Sequence, residues 1–150
     1  LTRQALPVLD RGTFASAEGV AKGAYVLADG SKDAPEVIFI ATGSEVQLAV
    51  EAQKLLADKD IVAYVVSMPC LEWFEAQPKE YRDAVLPPDV SARVAVEAGI
   101  AQPWHKLVGD TGEIVSIEHY GASADDKTLF REFGFTAEAV VAAAERSLDN

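Results

Sequence analysis

The chain has few of the residues that do chemistry by themselves. Its 150 residues include one cysteine, Cys70, and two histidines, His105 and His119. A lone cysteine forms no internal disulfide and suits a reducing compartment, so a cytoplasmic location is expected. These three residues cannot assemble a Cys/His zinc site, and no metal ligand is assigned. No apolar run approaches the roughly 20 residues that cross a bilayer. A basic-then-apolar leader is also missing. Membrane contact is therefore not expected. Basic residues are scarce: 13 Lys and Arg stand against 24 Asp and Glu, a net charge of −11. Such a surface repels phosphodiester backbones, which argues against a nucleic-acid partner. Methionine is absent from position 1 and occurs only at Met68, so a piece of a longer protein is expected.

The remaining composition is that of a globular domain, 49% hydrophobic and 25% charged, long enough to bury a substantial core. Residues 1–22 open with LTRQALPVLDRG, which has no periodic apolar pattern and reads as a linker or arm. Strands are expected at Gly23 to Ala28, Glu36 to Ala41, Ile61 to Ser67, Arg93 to Glu97 and Glu113 to Glu118. The second and third are continuous apolar runs, as in strands buried on both faces. Helical spacing is expected from Val46 to Ala57, around Trp73 and Phe74, and from Tyr81 to Leu86. It recurs from Gln102 to Val108, Asp125 to Glu132 and Ala137 to Leu148. Alternating strands and helices predict right-handed crossovers. The expected fold is α/β: three layers, doubly wound, with a mostly parallel sheet of about five strands and one antiparallel edge strand.

In such sheets ligands sit outside the carboxyl ends of the strands, so the turns there are the candidates. The first is Thr42-Gly43-Ser44, where a strand feeds a helix, the geometry of many phosphate sites. Ser44 and Gln47 match the S-x-x-Q capping box, and Glu45 suits the positive helix end. One glycine and no following lysine match neither a P-loop nor G-x-G-x-x-G. A structural cap is favoured over a ligand loop. His119, after the fifth strand, could exchange a proton near neutrality. Ser123 and Asp126 nearby read as a helix cap, and no nucleophile stands beside the histidine in sequence. Glu97-Ala98-Gly99 with Trp104 and His105 reads as packing, and Cys70 lacks a paired base. No catalytic or cofactor-binding residue is assigned. Arg3 is a guanidinium in an arm, able in principle to fork onto a phosphate. By residue type alone it reads as a solvent-exposed linker arginine.

Six segments in order carry a resemblance over nearly the whole length. They are Leu1-Thr2-Arg3-Gln4 with Leu6-Pro7, then IFIATGSEVQLAVEA, VVSMPC, YRDAVLP, RVAVEAGIA and FREFGFTAEAVV. Together they resemble the C-terminal third of bacterial transketolases. Where family members commonly have Phe-Gly followed by Ser-Ala-Pro, this chain reads Tyr120-Gly121-Ala122-Ser123-Ala124-Asp125. The change bears on local packing of that turn.

The resemblance implies a domain of a homodimeric enzyme that moves a two-carbon ketol unit between sugar phosphates in the pentose phosphate pathway. Thiamine diphosphate and a divalent metal, magnesium or calcium, would be held by other domains, and the isolated fragment would be inactive. Residues 1–22 would be the end of the preceding thiamine-pyrimidine-binding domain, and 23–150 the C-terminal α/β domain. The family arginine that binds the substrate's terminal phosphate falls on Arg3, which reverses the reading by residue type. Two alternatives stay open. One is a small-molecule regulatory module using the strand ends near Thr42, Glu97 and His119. The other is the same domain of a 2-oxo acid dehydrogenase component or a deoxyxylulose phosphate synthase.

Overall fold

The computed structural model describes residues 6–30 and 34–150. Five strands, β1 (Tyr25–Ala28), β2 (Val37–Ala41), β3 (Ala63–Ser67), β4 (Arg93–Val96) and β5 (Glu113–Val115), form one sheet in the order β1-β3-β2-β4-β5. β2 pairs in parallel with β3 (Phe39 opposite Val65) and with β4 (Phe39 opposite Val94), and β4 with β5. β1 runs antiparallel to β3, Tyr25 opposite Ser67, as the edge strand expected from sequence. Every residue of β2 is buried, which is why its sequence VIFIA is continuously apolar instead of alternating.

Side chains alternate across the sheet and build two cores. Val37, Phe39 and Ala41 face α1 (Val46–Ala57) and α6 (Ala137–Leu148), together with Val65, Val94 and Val96. Ile38 and Ile40 face the opposite layer of α2 (Leu71–Glu75), α3 (Lys79–Val85) and α4 (His105–Val108), against Phe74, Val85 and Trp104. Between α1 and α6 the small residues Ala49, Ala52, Ala143 and Ala144 are all fully buried, and they let the helices approach closely. α5 (Asp126–Glu132) precedes α6. Thr136 caps α6, its Oγ1 accepting from Ala139 N at 3.2 Å. Among the described residues no helix is long and apolar enough to cross a membrane.

Two polar groups hold the sheet's amino-terminal end. The Arg93 guanidinium donates to the carbonyls of Val90, Leu107 and Pro87 at 2.8–2.9 Å, tying α3, β4 and α4 together. Its burial lowers its pKa from the ordinary value. Ser147, almost fully buried, donates to the Thr111 carbonyl at 2.8 Å and accepts from Arg93 N at 3.2 Å.

Two expected caps differ. Ser44 does not cap α1: its hydroxyl donates sideways to Glu45 Oε1, and the chain enters α1 through a 3₁₀ turn, Gly43–Glu45, with no side-chain cap bond. Gly43 takes φ +56, and the extra tight turn displaces the serine from the position a capping box requires. At α5 the cap is Asp125, accepting from Thr128 N at 3.0 Å, instead of Ser123.

Candidate functional site

The chain leaves β2 toward α1 on one face and leaves β4 toward α4 on the other. Because β2 and β4 are adjacent parallel strands, a crevice opens beyond their carboxyl ends, the place where this architecture takes ligands. The sequence brings Thr42-Gly43-Ser44-Glu45 to one wall and Glu97-Ala98-Gly99 to the other.

The electrostatics of the crevice oppose an anion. Glu45 is only 3% exposed, the one acidic side chain buried in the core among the described residues. Its pKa is raised by burial, partly offset by the Ser44 hydroxyl, which donates to Oε1 at 2.5 Å. Glu97 is raised by its own burial and further by the Glu45 charge, so the two carboxylates sense each other. Among the described residues, neither carboxylate belongs to an ion pair. A diphosphate placed here would meet two like charges, so these residues do not fit the thiamine diphosphate group. No set of three or more His, Cys, Asp or Glu side chains among the described residues could hold a metal ion.

The other candidates are occupied by structural work. His119 donates from Nδ1 to the Tyr120 carbonyl at 2.8 Å and stacks edge-on against Phe133, ring centres 4.8 Å apart. Glu118 accepts from Ala101 N and Ser116 Oγ, which lower its pKa and tie the loop after β4 to the end of β5. Cys70 Sγ donates to Glu72 Oε2 at 3.5 Å. Phe74 and Trp104 are core residues, whereas Trp73 is 57% exposed and Tyr120 98% exposed.

Arg3 lies outside the described residues. From Leu6 onward the arm packs at the turn after β2, on its β3 side: Leu6, Pro7 and Leu9 wall a cavity of about 210 Å³, completed by Gly43, Ser44, Val46, Gln47 and Ser67. Leu9 and Phe14 pack against the core on the α1 and α6 face. Asp10 closes a turn behind them, accepting from Gly12 N at 3.0 Å and Thr13 Oγ1 at 2.7 Å, and these bonds lower its pKa. Ala15 N then donates to the Leu27 carbonyl in β1. Sequence reasoning missed this docking, because four residues are too few to display a period. The only signal was the short apolar run Ala5-Leu6-Pro7-Val8-Leu9 within the arm.

The fold is that of the open, mostly parallel three-layer α/β domains, with Glu45 and Glu97 close together beyond the ends of β2 and β4. A family model described as Transketolase-like TK C-terminal domain matches residues 23–136. The transketolase of Mycobacterium tuberculosis is 77% identical over the full chain, and that of Aquifex aeolicus is 51% identical over 93% of it. The chain spans 22% and 20% of those two relatives, about a fifth of their length. A Pichia stipitis transketolase structure, described as a complex with sedoheptulose-7-phosphate, superposes with a TM-score of 0.86 at 36% identity. It covers 98% of this chain and 20% of its own. The chain belongs to the transketolase C-terminal domain family.

Proposed function

We propose that this chain is the C-terminal domain of a thiamine diphosphate-dependent transketolase, moving a two-carbon ketol unit between sugar phosphates. The observation that carries the reading is the 77% identity to a transketolase along the full chain. It favours transketolase over a 2-oxo acid dehydrogenase component or a deoxyxylulose phosphate synthase. The carboxylate pair at the crevice disfavours a regulatory site for phosphates or nucleotides. In this reading the cofactor, its divalent metal and the catalytic groups belong to other domains, so the chain alone does not turn over. Residues 1–22 form the end of the preceding domain and its arm, and 23–150 the C-terminal domain. The cofactor carries the bond-breaking chemistry, and this domain supports the assembly that orients it. The exposed Trp73, Ile100 and Tyr120 are consistent with cover from a neighbouring domain or a second subunit of a homodimer. A cytoplasmic enzyme of the pentose phosphate pathway is the corresponding cellular setting.

Arg3 is the residue assigned to substrate, binding the terminal phosphate of the sugar through paired hydrogen bonds. In the whole protein, Arg3→Ala is expected to remove a charged hydrogen bond worth about 1.5–3 kcal/mol, raising KM for sugar phosphates roughly 10- to 150-fold. Steady-state kinetics with phosphorylated and non-phosphorylated donors read this directly. Unchanged KM for the phosphorylated sugars would overturn the assignment.

A further inference from the structure

The large apolar side chains that stay exposed are not spread evenly over the domain. Among the described residues, Leu6, Val8, Val20, Trp73, Ile100 and Tyr120 all lie at the carboxyl-end edge of the parallel strands. Trp73 follows β3 at the start of α2, Ile100 lies in the loop after β4 and Tyr120 in the loop after β5. Val20 belongs to the 3₁₀ turn Ala17–Lys22, just ahead of β1, whose Tyr25 pairs with Ser67 at the carboxyl end of β3. Leu6 borders the cavity at Gly43 and Ser67, with Val8 close by in the arm. Leu55, near the end of α1, is the one such side chain at the opposite end among the described residues. There the loops carry Asp58, Lys59, Asp60, Asp89 and Asp110, all exposed. One end of the sheet is thus charged and solvated, and the other concentrates apolar groups.

The apolar end is also held in shape. Cys70 N donates to the Gly23 carbonyl at 3.0 Å, setting the turn that bears Val20 beside α2. Ile117 N donates to the Gly99 carbonyl at 2.8 Å and Ala101 N to Glu118 Oε1 at 2.7 Å, joining the loops that bear Ile100 and Tyr120. A surface ordered in advance loses little conformational freedom when it is covered, and Trp and Tyr are residues that anchor such contacts.

The route of the chain favours one occupant. The arm enters the domain at this same end, with Leu6 and Pro7 against Gly43 and Ser67. The chain spans about a fifth of its transketolase relatives. A domain tethered through the arm is held at this end at high effective concentration, an advantage that a separate copy of the chain lacks. We propose that the carboxyl-end rim of the sheet, carrying Trp73, Ile100 and Tyr120, is the surface on which the preceding domain of the same polypeptide packs through a complementary apolar face. This rests on the reading, given under Proposed function, that the chain follows another domain of one protein. The charged opposite end stays in solvent.

The test places a photo-cross-linking side chain in the whole protein, one site at a time. Trp73→p-benzoylphenylalanine, Ile100→p-benzoylphenylalanine and Tyr120→p-benzoylphenylalanine probe the rim, and Leu55→p-benzoylphenylalanine is the control at the opposite end. All four side chains are exposed, so the core is left intact. After irradiation, denaturing electrophoresis separates links within one chain, at the monomer mass, from links between two chains, at twice that mass. Mass spectrometry of the digested bands maps the peptide that was captured. The three rim positions are expected to capture peptides of the preceding domain within the same chain, and position 55 is expected to capture none. Products at twice the monomer mass would make the rim a contact between copies and overturn the proposal. Rim positions that link no better than position 55, or only to peptides of this domain, would overturn it as well. Ketol transfer by the unsubstituted whole protein is assayed alongside. Transfer without the expected links strikes this proposal and leaves the transketolase reading standing. The expected links without transfer strike that reading and leave the docking surface standing.

Discussion

Glu45→Gln is expected to stabilise the domain at neutral pH, although Glu45 is among its most buried side chains. Glutamine keeps the shape and still offers an amide oxygen to the Ser44 hydroxyl, so packing and that bond survive. What disappears is a charge whose removal from water costs several kcal/mol. A single charge-assisted hydrogen bond returns only about 1.5–3 kcal/mol of that. The balance is a gain on the order of 1 kcal/mol, enlarged by relief of the repulsion with Glu97. The pH dependence gives the sign a second check. Burial raises the folded-state pKa of Glu45 above the ordinary glutamate value it has in the unfolded chain. Its contribution to stability is therefore fully present below that value and is lost as pH rises through the folded pKa. The advantage of the glutamine variant should thus be absent in acid, grow as pH increases and level off once the wild-type carboxylate is ionised. Urea unfolding of both forms at intervals between about pH 4 and 8 measures it, with the slope m held as the test that only stability has changed. A variant less stable than wild type at pH 8, or a difference that does not vary with pH, would refute the account of the crevice.

Two further substitutions probe the scaffold beneath that crevice. Arg93→Met should destabilise by about 2–4 kcal/mol, because it strips donors from the partly buried carbonyls of Val90, Leu107 and Pro87 at once. A shift in urea midpoint equivalent to less than about 1 kcal/mol would show that water replaces the guanidinium freely. Gly23→Ala should lower Tm by about 5 °C or more, since Gly23 sits at φ +85 and an added Cβ would lie 2.3 Å from Phe74 N and 2.4 Å from the Cys70 carbonyl oxygen. A Tm within about 1 °C of wild type in calorimetry would mean that the loop before β1 and the start of α2 yield easily.

The parts of this architecture that were legible in sequence are those fixed by burial over several residues. VIFIA is apolar without alternation because both faces of β2 are covered, and α6 shows its buried stripe because Val140, Val141 and Ala144 recur at helical spacing. Single-residue geometry was not legible. Ser44-x-x-Gln47 has the composition of a capping box, but one residue at positive φ, Gly43, inserts a tight turn and rotates the serine toward Glu45. Asp125 in place of Ser123 caps α5 for the same kind of reason: both can accept the bond, and the backbone path decides. At the candidate site, the two carboxylates were visible as letters. Their encounter was not, because it depends on β2 and β4 being neighbours although β3 lies between them in sequence. The docking of Leu9 was hidden by the shortness of the arm.

That encounter sets charge against a phosphate at an edge whose backbone would otherwise suit one. A helix entry after a buried strand offers partial positive charge, and Gly43 leaves space for a ligand. Glu45, folded beneath the turn, and Glu97, on the adjacent strand end, place opposing charge at that position. Substituting either carboxylate removes one obstacle only, since the described residues of the turn after β2 include neither a lysine nor the further glycines of a P-loop. The segment packed at this edge is an uncharged stretch, Leu6 to Leu9, set against Gly43, Ser44 and Ser67. The edge beside β3 thus works as a seat for the arm, whose Leu9 packs against the same core as Ala41 and Val46.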